Sequence, residues 1–258
     1  MLQQGNCHST RRLFGDNTMD VTGLHVWLLF YGELNDFLPQ PRRNIEFQCV
    51  AGVTDNLNHI IQSQGLPHTE IARVTVNGAT RPLSDRPAEN DRVHVFPHSI
   101  PVGLDYSRFV VDGHLGRLAS YLRMTGFDTW YDRDASDPLL SAVAAAERRV
   151  VLTRDVGLLM RREIEQGYWV RSPDPRAQLL EVCRRFGLFS QFVPFSRCMD
   201  CNGFLCSVAK DEIADLLPPR IRDTKNEFNR CVDCGKVFWR GSHYARMAGW
   251  IEELKDGS

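Results

Sequence analysis

Residues 109–119, Phe109-Val110-Val111-Asp112-Gly113-His114-Leu115-Gly116-Arg117-Leu118-Ala119, open with a short apolar run that stops at an aspartate and passes straight into a helical pattern. Leu115, Leu118, Ala119 and Leu122 recur at the spacing of one helix face, with Arg117, Ser120 and Tyr121 opposite. The same alternation continues downstream. Strands are expected over 127–131, 150–153 and 168–171, with helices over 138–149, 156–166 and 175–186, the last begun by Pro175 at its first position. Strands that alternate with helices imply a parallel sheet in an α/β domain, placed at 108–195.

Upstream, residues 24–99 follow a different rule. The run His25-Val26-Trp27-Leu28-Leu29-Phe30-Tyr31 reads as a strand, and Ile45, Phe47 and Cys49 alternate with polar neighbours. Thr54 is placed to cap a helix carrying Leu57, Ile60 and Ile61, which Gly65 closes. Asn77-Gly78 predicts a two-residue hairpin turn, and residues 92–96 a last strand. The set looks like a β-grasp, ubiquitin-like fold. Sulfur carriers of that fold end in a free Gly-Gly, whereas this segment runs on through Phe96-Pro97-His98, which leaves an interaction or RNA-positioning domain, or a structural appendage. Residues 100–107 form a linker, and residues 1–23 are expected to be a disordered leader within which Met19 could be the natural start.

Downstream, Cys198/Cys201 and Cys231/Cys234 form two Cys-x-x-Cys pairs, the donor set of a tetrahedral zinc site with sulfurs about 2.3 Å from the metal. The 29 residues between the pairs exceed the usual ribbon spacing, so two disulfides remain the competing reading, with Cys206 as a substitute ligand. The expected ribbon spans 196–250, and its zinc would be structural, because four thiolates leave no position open for water. Cys7, Cys49 and Cys183 show no framework spacing, and no apolar run reaches membrane-span length. A reducing cytoplasm is the expected location, without membrane association. The net charge of −1 excludes a global attraction to nucleic acid, so any such binding needs a local patch.

In an open parallel sheet, ligands bind beyond the carboxyl ends of the strands, where Asp112 and Asp155 fall and toward which Asp137 can point. Three convergent carboxylates repel unless cations hold them. Mg²⁺ or Mn²⁺ suits such oxygens and can activate water on a phosphodiester. Each aspartate can equally cap the helix that follows it. Asp132, Asp134 and Asp174 are weaker ligand candidates, and Asp174-Pro175 is explained by capping alone.

These motifs, with Leu152-Thr153-Arg154-Asp155, Arg197-Cys198-x-x-Cys201-Asn202 and Cys231-x-x-Cys234-Gly235-Lys236-Val237-Phe238-Trp239-Arg240-Gly241-Ser242-His243, resemble the Mut-seven C-terminal ribonuclease family. The resemblance covers nearly the whole chain after residue 23. It implies a PIN-like nuclease domain with a zinc ribbon behind an N-terminal ubiquitin-like domain, a protein partner for that domain, and metal-dependent cleavage of RNA at Asp112, Asp137 and Asp155. This module is short and has no obvious central glutamate, so a non-catalytic RNA-binding adaptor is the alternative.

Residues 218–246 carry a net charge of +4, with Phe228, Phe238, Trp239 and Tyr244 interleaved among the bases. Such rings stack unpaired bases while the cations neutralise phosphates, or else they pack around the metal module. Single-stranded RNA is the expected partner, contacted by Trp239, Arg240 and His243 on the ribbon. Arg117, Arg123 and Arg154, near the acidic edge, could hold the scissile phosphate or could be solvated helix and turn residues.

Overall fold

The computed structural model describes residues 23–104 and 106–256; the expected leader, apart from Gly23, lies outside the described residues. The N-terminal domain comprises β1 (Gly23–Phe30), β2 (Phe47–Gly52), α1 (Leu57–Gln62), β3 (Ile71–Val76), β4 (Ala79–Arg81) and β5 (Arg92–Pro97). Its sheet has the order β2-β1-β5-β3-β4, with β1 and β5 parallel and the other pairs antiparallel, which is a β-grasp. Val26, Leu28 and Phe30 alternate inward along β1 and bury against Leu57, Ile60 and Ile61 of α1. Asn77 and Gly78 both take positive φ, as the predicted turn requires. The cap of α1 is Asn56 rather than Thr54, its side chain accepting from the amide of His59 at 2.8 Å.

The central domain comprises β6 (Arg108–Val111), α2 (Gly116–Met124), β7 (Asp128–Tyr131), α3 (Asp137–Glu147), β8 (Val150–Thr153), α4 (Val156–Leu159), β9 (Gly167–Trp169) and α5 (Pro175–Phe186). All four strands are parallel, in the order β7-β6-β8-β9. Because side chains alternate across β6, Phe109 and Val111 face α2 and α5 while Val110 faces α3 and α4. Both faces are therefore covered, and the strands read as continuous apolar runs. The helix expected over 156–166 stops at Leu159, since residues 160–166 turn back to start β9 and bury Ile164 against Val110 and Val151. Tyr121, expected on the exposed face of α2, instead meets Trp250 with ring centroids 4.8 Å apart.

The C-terminal module comprises β10 (Leu205–Val208), α6 (Pro219–Thr224), β11 (Phe228–Cys231) and β12 (Val237–Trp239), a three-stranded antiparallel sheet, followed by α7 (Ser242–Asp256). The long insertion between the cysteine pairs has a purpose visible in its packing: Ile213 and Leu217 bury against Phe228 and form a small core beside the cysteines. Helix α7 returns to the central domain, where Leu254 joins the core under α2 and α5.

Both edges of the parallel sheet are capped by side chains from the flanking domains. On β7 the amide of Thr129 donates to Asn202 Oδ1 at 3.0 Å, and on β9 the amide of Trp169 donates to Glu70 Oε1 at 2.8 Å. An open edge is a template for unwanted pairing, and each cap closes one edge at one amide. No helix among the described residues is long and apolar enough to cross a membrane.

Candidate functional site

The chain passes from β6 to β7 on one side of it and then crosses back over β6 to place β8 on the other, so the crevice of the sheet opens between the carboxyl ends of β6 and β8. Asp112 follows β6 and Asp155 follows β8 by two residues. Thr153, fully buried at the end of β8, ties them together. Its hydroxyl donates to Asp112 Oδ2 at 2.7 Å and accepts from the Asp155 amide at 2.9 Å. An open cleft of about 400 Å³ begins here, lined by Asp112, Gly113, His114, Arg133, Ala135, Asp137, Arg154 and Asp155.

All three predicted aspartates therefore lie in one cleft, and their local roles differ. Asp155 Oδ1 caps α4 by accepting from the amide of Gly157 at 2.7 Å. Asp112 makes no side-chain cap, and among the described residues the Asp137 carboxylate has no hydrogen-bond partner. Capping thus accounts for Asp155 but not for the other two. Asp174 caps α5 through the amide of Ala177 at 2.8 Å, as its sequence suggested. The glycines of Asp112-Gly113-His114-Leu115-Gly116 serve close packing: a Cβ at Gly113 would strike the Arg133 carbonyl, and one at Gly116 would meet Tyr131 Oη at 2.5 Å. That approach brings the end of β7, and with it Arg133, to the cleft.

The predicted arginines separate. Arg133, missed in the sequence reading, is exposed at the cleft; its position just beyond a strand's carboxyl end was the available signal. Arg154 lines the cleft, but its Nη1 donates to the carbonyls of Arg171 at 2.7 Å and Ser172 at 2.5 Å. Arg117 is exposed on α2 and is not among the lining residues. Arg123 is corrected outright as a phosphate contact. It is 4% exposed, donating to the carbonyls of Thr129 at 2.9 Å and Asp200 at 2.7 Å, so it clasps the first cysteine knuckle to β7. Burial lowers its pKa, against the opposing pull of the nearby cysteines and acids. Asp128 stands behind the same clasp: burial pushes its carboxyl up, and Arg149 and Asn202 outweigh that to hold it below its ordinary value.

The four sulfurs of Cys198, Cys201, Cys231 and Cys234 lie within 4.8 Å of one another, with Cys201–Cys231 at 3.3 Å and Cys198–Cys234 at 3.8 Å. A disulfide needs about 2.05 Å, whereas a tetrahedron with bonds of about 2.3 Å places its sulfurs roughly 3.8 Å apart. The donor set fits zinc, and Cys206 is exposed outside it. The three aspartates do not close to that mutual distance; among the described residues, the thiols are the one group of metal-binding type that does.

A second concavity, about 620 Å³, lies between the ribbon sheet and the start of α7. It gathers the three ribbon residues singled out in the sequence, Trp239, Arg240 and His243, together with Phe195, Phe238, Tyr244, Arg197 and Lys236. The rings of Phe195 and Tyr244 lie 4.4 Å apart, tilted by 34°. Of the four ribbon aromatics, Phe228 is buried in the insertion core, while Phe238, Trp239 and Tyr244 are half-buried and line the groove, Trp239 also packing against that core. Arg240 is exposed, paired with Glu227 at 3.2 Å, and Lys236 pairs with Asp200. Helix α2, nine residues and so about 13 Å long, separates the acidic cleft at its start from the Arg123 clasp beside the groove.

A family model described as Mut7-C RNAse domain matches residues 107–251, and one described as Mut7-C ubiquitin matches residues 23–102. No curated protein and no solved structure matches the chain.

Proposed function

The chain belongs to the Mut7-C RNAse domain family, and from that premise we propose that it is a metal-dependent ribonuclease whose active site is the cleft at Asp112, Asp137 and Asp155. The observation that carries the reading is the gathering of three carboxylates, two of them unused as helix caps, at the switch point of a parallel sheet. Hard oxygen donors of this kind fit Mg²⁺ or Mn²⁺, which would supply an activated water and neutralise charge on the phosphate. The Thr153 hydroxyl, donating to Asp112 Oδ2, holds that carboxylate in place at the cleft. Arg133 and His114, exposed at the rim, are placed to hold a phosphate, whereas Arg154 serves as a latch for the 170–172 segment.

The ribbon groove is proposed to carry unpaired RNA, its half-buried rings stacking bases and Arg240 and Lys236 meeting phosphates. Zinc, held by the four cysteines, would fold the groove rather than act in the reaction. Replacing Trp239 by alanine should weaken binding of a single-stranded oligonucleotide about tenfold, near the lower end of what one stacked base contributes. Fluorescence titration reads this, and an unchanged Kd would remove Trp239 from the interface.

The deciding experiment is cleavage of defined single-stranded RNA by protein that keeps its zinc and is dialysed free of Mg²⁺ and Mn²⁺, with and without added Mn²⁺. Cleavage only with metal supports the nuclease. The adaptor reading draws support from the wider spacing of the carboxylates compared with the thiols. Intact RNA binding without calorimetric Mn²⁺ uptake would favour it.

A further inference from the structure

The β-grasp domain grips the central domain at several points, among them the carbonyl of Ile164, 2.8 Å from His68 Nε2, and the segment from Trp169, the last residue of β9, to Ser172. Glu70, 0% exposed, accepts the outward-pointing Trp169 amide at 2.8 Å, and the Trp169 ring packs on Phe37 with centroids 5.0 Å apart. Two residues on, Arg171 Nε donates to Asp36 Oδ2 at 3.0 Å. Arg185, 2% exposed on α5, completes the joint by donating to Glu33 at 2.5 Å and Glu70 at 3.4 Å. Burying Glu70 is unfavourable in itself: burial pushes its carboxyl up, against the Trp169 amide and the guanidinium of Arg185. A buried ionic joint of this kind is a poor source of stability, but it fixes orientation.

The gripped segment grips the acidic edge in turn. Trp169 Nε1 donates to the Arg154 carbonyl at 3.1 Å, and the Arg154 guanidinium donates back to the carbonyls of Arg171 and Ser172. Arg154 stands between Thr153 and Asp155, the residues whose hydroxyl and amide set the carboxylates. Two hydrogen bonds, joined through Trp169 and continued along the backbone at Arg154, therefore link Glu70 in one domain to the cleft in the other.

We infer that the β-grasp domain is a fixed brace for the acidic cleft, with the central domain of its own chain as its partner, and that Glu70 and Trp169 are positioning residues. Its catalytic consequence rests on the nuclease reading above; the structural claim does not. The brace works through the backbone at Arg154. Loosening it should misplace Asp155 without removing any group that touches RNA, so kcat should fall while KM holds.

Amide hydrogen exchange and RNA cleavage on the full chain test this. Trp169→Phe keeps a ring on Phe37 and deletes the indole donor that reaches the Arg154 carbonyl. Exchange over residues 153–157 should quicken about fivefold, the effect of losing one hydrogen bond of ordinary strength, with β6 and α5 unaffected. In the same variant kcat should drop by a similar factor at constant KM. Glu70→Leu, which removes the acceptor for the Trp169 amide, should loosen the same residues. Unchanged exchange over 153–157 in Trp169→Phe, or exchange that quickens equally throughout the domain, overturns the brace. Wild-type protein that fails to cleave RNA overturns the nuclease reading instead, and the exchange result still decides the brace.

Discussion

Asp155→Asn should reduce RNA cleavage in Mn²⁺ by at least about 100-fold, roughly 2.7 kcal/mol of barrier, while leaving the melting midpoint nearly unchanged. The two expectations separate because the carboxylate has two functions at distinct atoms' reach. Its Oδ1 accepts from the amide of Gly157 to cap α4, and asparagine caps as well as aspartate. The charge that a hard cation needs is what disappears. Asp155→Ala would confound the measurement, since loss of the cap alone costs about 1 kcal/mol. Initial rates on a defined single-stranded RNA, beside a thermal melt, read both quantities. Cleavage equal to wild type in Asp155→Asn would remove the acidic cleft as the catalytic centre.

Cys231→Ser should release the zinc and unfold the ribbon, with consequences beyond it. Cys231 is 1% exposed at the end of β11, and its sulfur lies 3.3 Å from that of Cys201. A structural zinc site contributes apparent binding energy of about 10–16 kcal/mol, which strands of three and four residues with a core of Ile213, Leu217 and Phe228 cannot replace. Unfolding the first knuckle also withdraws the Met199 and Asp200 carbonyls from Arg123 and the Asn202 side chain from Thr129 and Asp128. That leaves a nearly buried guanidinium short of acceptors. Stranding such a charge costs roughly 3 kcal/mol, so a central domain of fewer than 100 residues should melt about 12–24 °C lower. Zinc content by chromogenic chelator and a thermal melt check this. One zinc per chain with an unaltered melt in Cys231→Ser would overturn the ribbon's structural role.

The elements most legible in the sequence were those dictated by local rules. Pro175 at the first turn and Gly187 beyond the last helical residue bracket α5, which spans Pro175–Phe186 as read. Asn77-Gly78 makes its turn because both residues tolerate positive φ. Where the sequence reading went astray, the physical cause was tertiary. Residues 160–166 carry helical spacing, yet Ile164 is worth more buried against the sheet than continued in a helix. Arg123 looked like any helix arginine, because nothing local reveals that the Met199 and Asp200 carbonyls will meet it. The role of Thr153, visible in sequence only as part of a motif, and that of Arg133 were illegible for the same reason: one matters through its hydroxyl to a residue 41 positions earlier, the other through a close approach to Gly113.

The sequence by itself determined the order of the elements, the β-grasp pattern, the alternating α/β pattern and the two Cys-x-x-Cys pairs, because each follows from residue spacing along a chain of known pitch; that the four thiols form one tetrahedral donor set and not two disulfides was decided by the distances between their sulfurs. Only the tertiary structure decided which aspartates are free of capping duty, which arginines face solvent and which are clasps, and that both flanking domains seal the edges of one parallel sheet. Those are contacts between residues far apart in sequence, where the energy of burying a charge or satisfying an amide depends on the partner that folding brings.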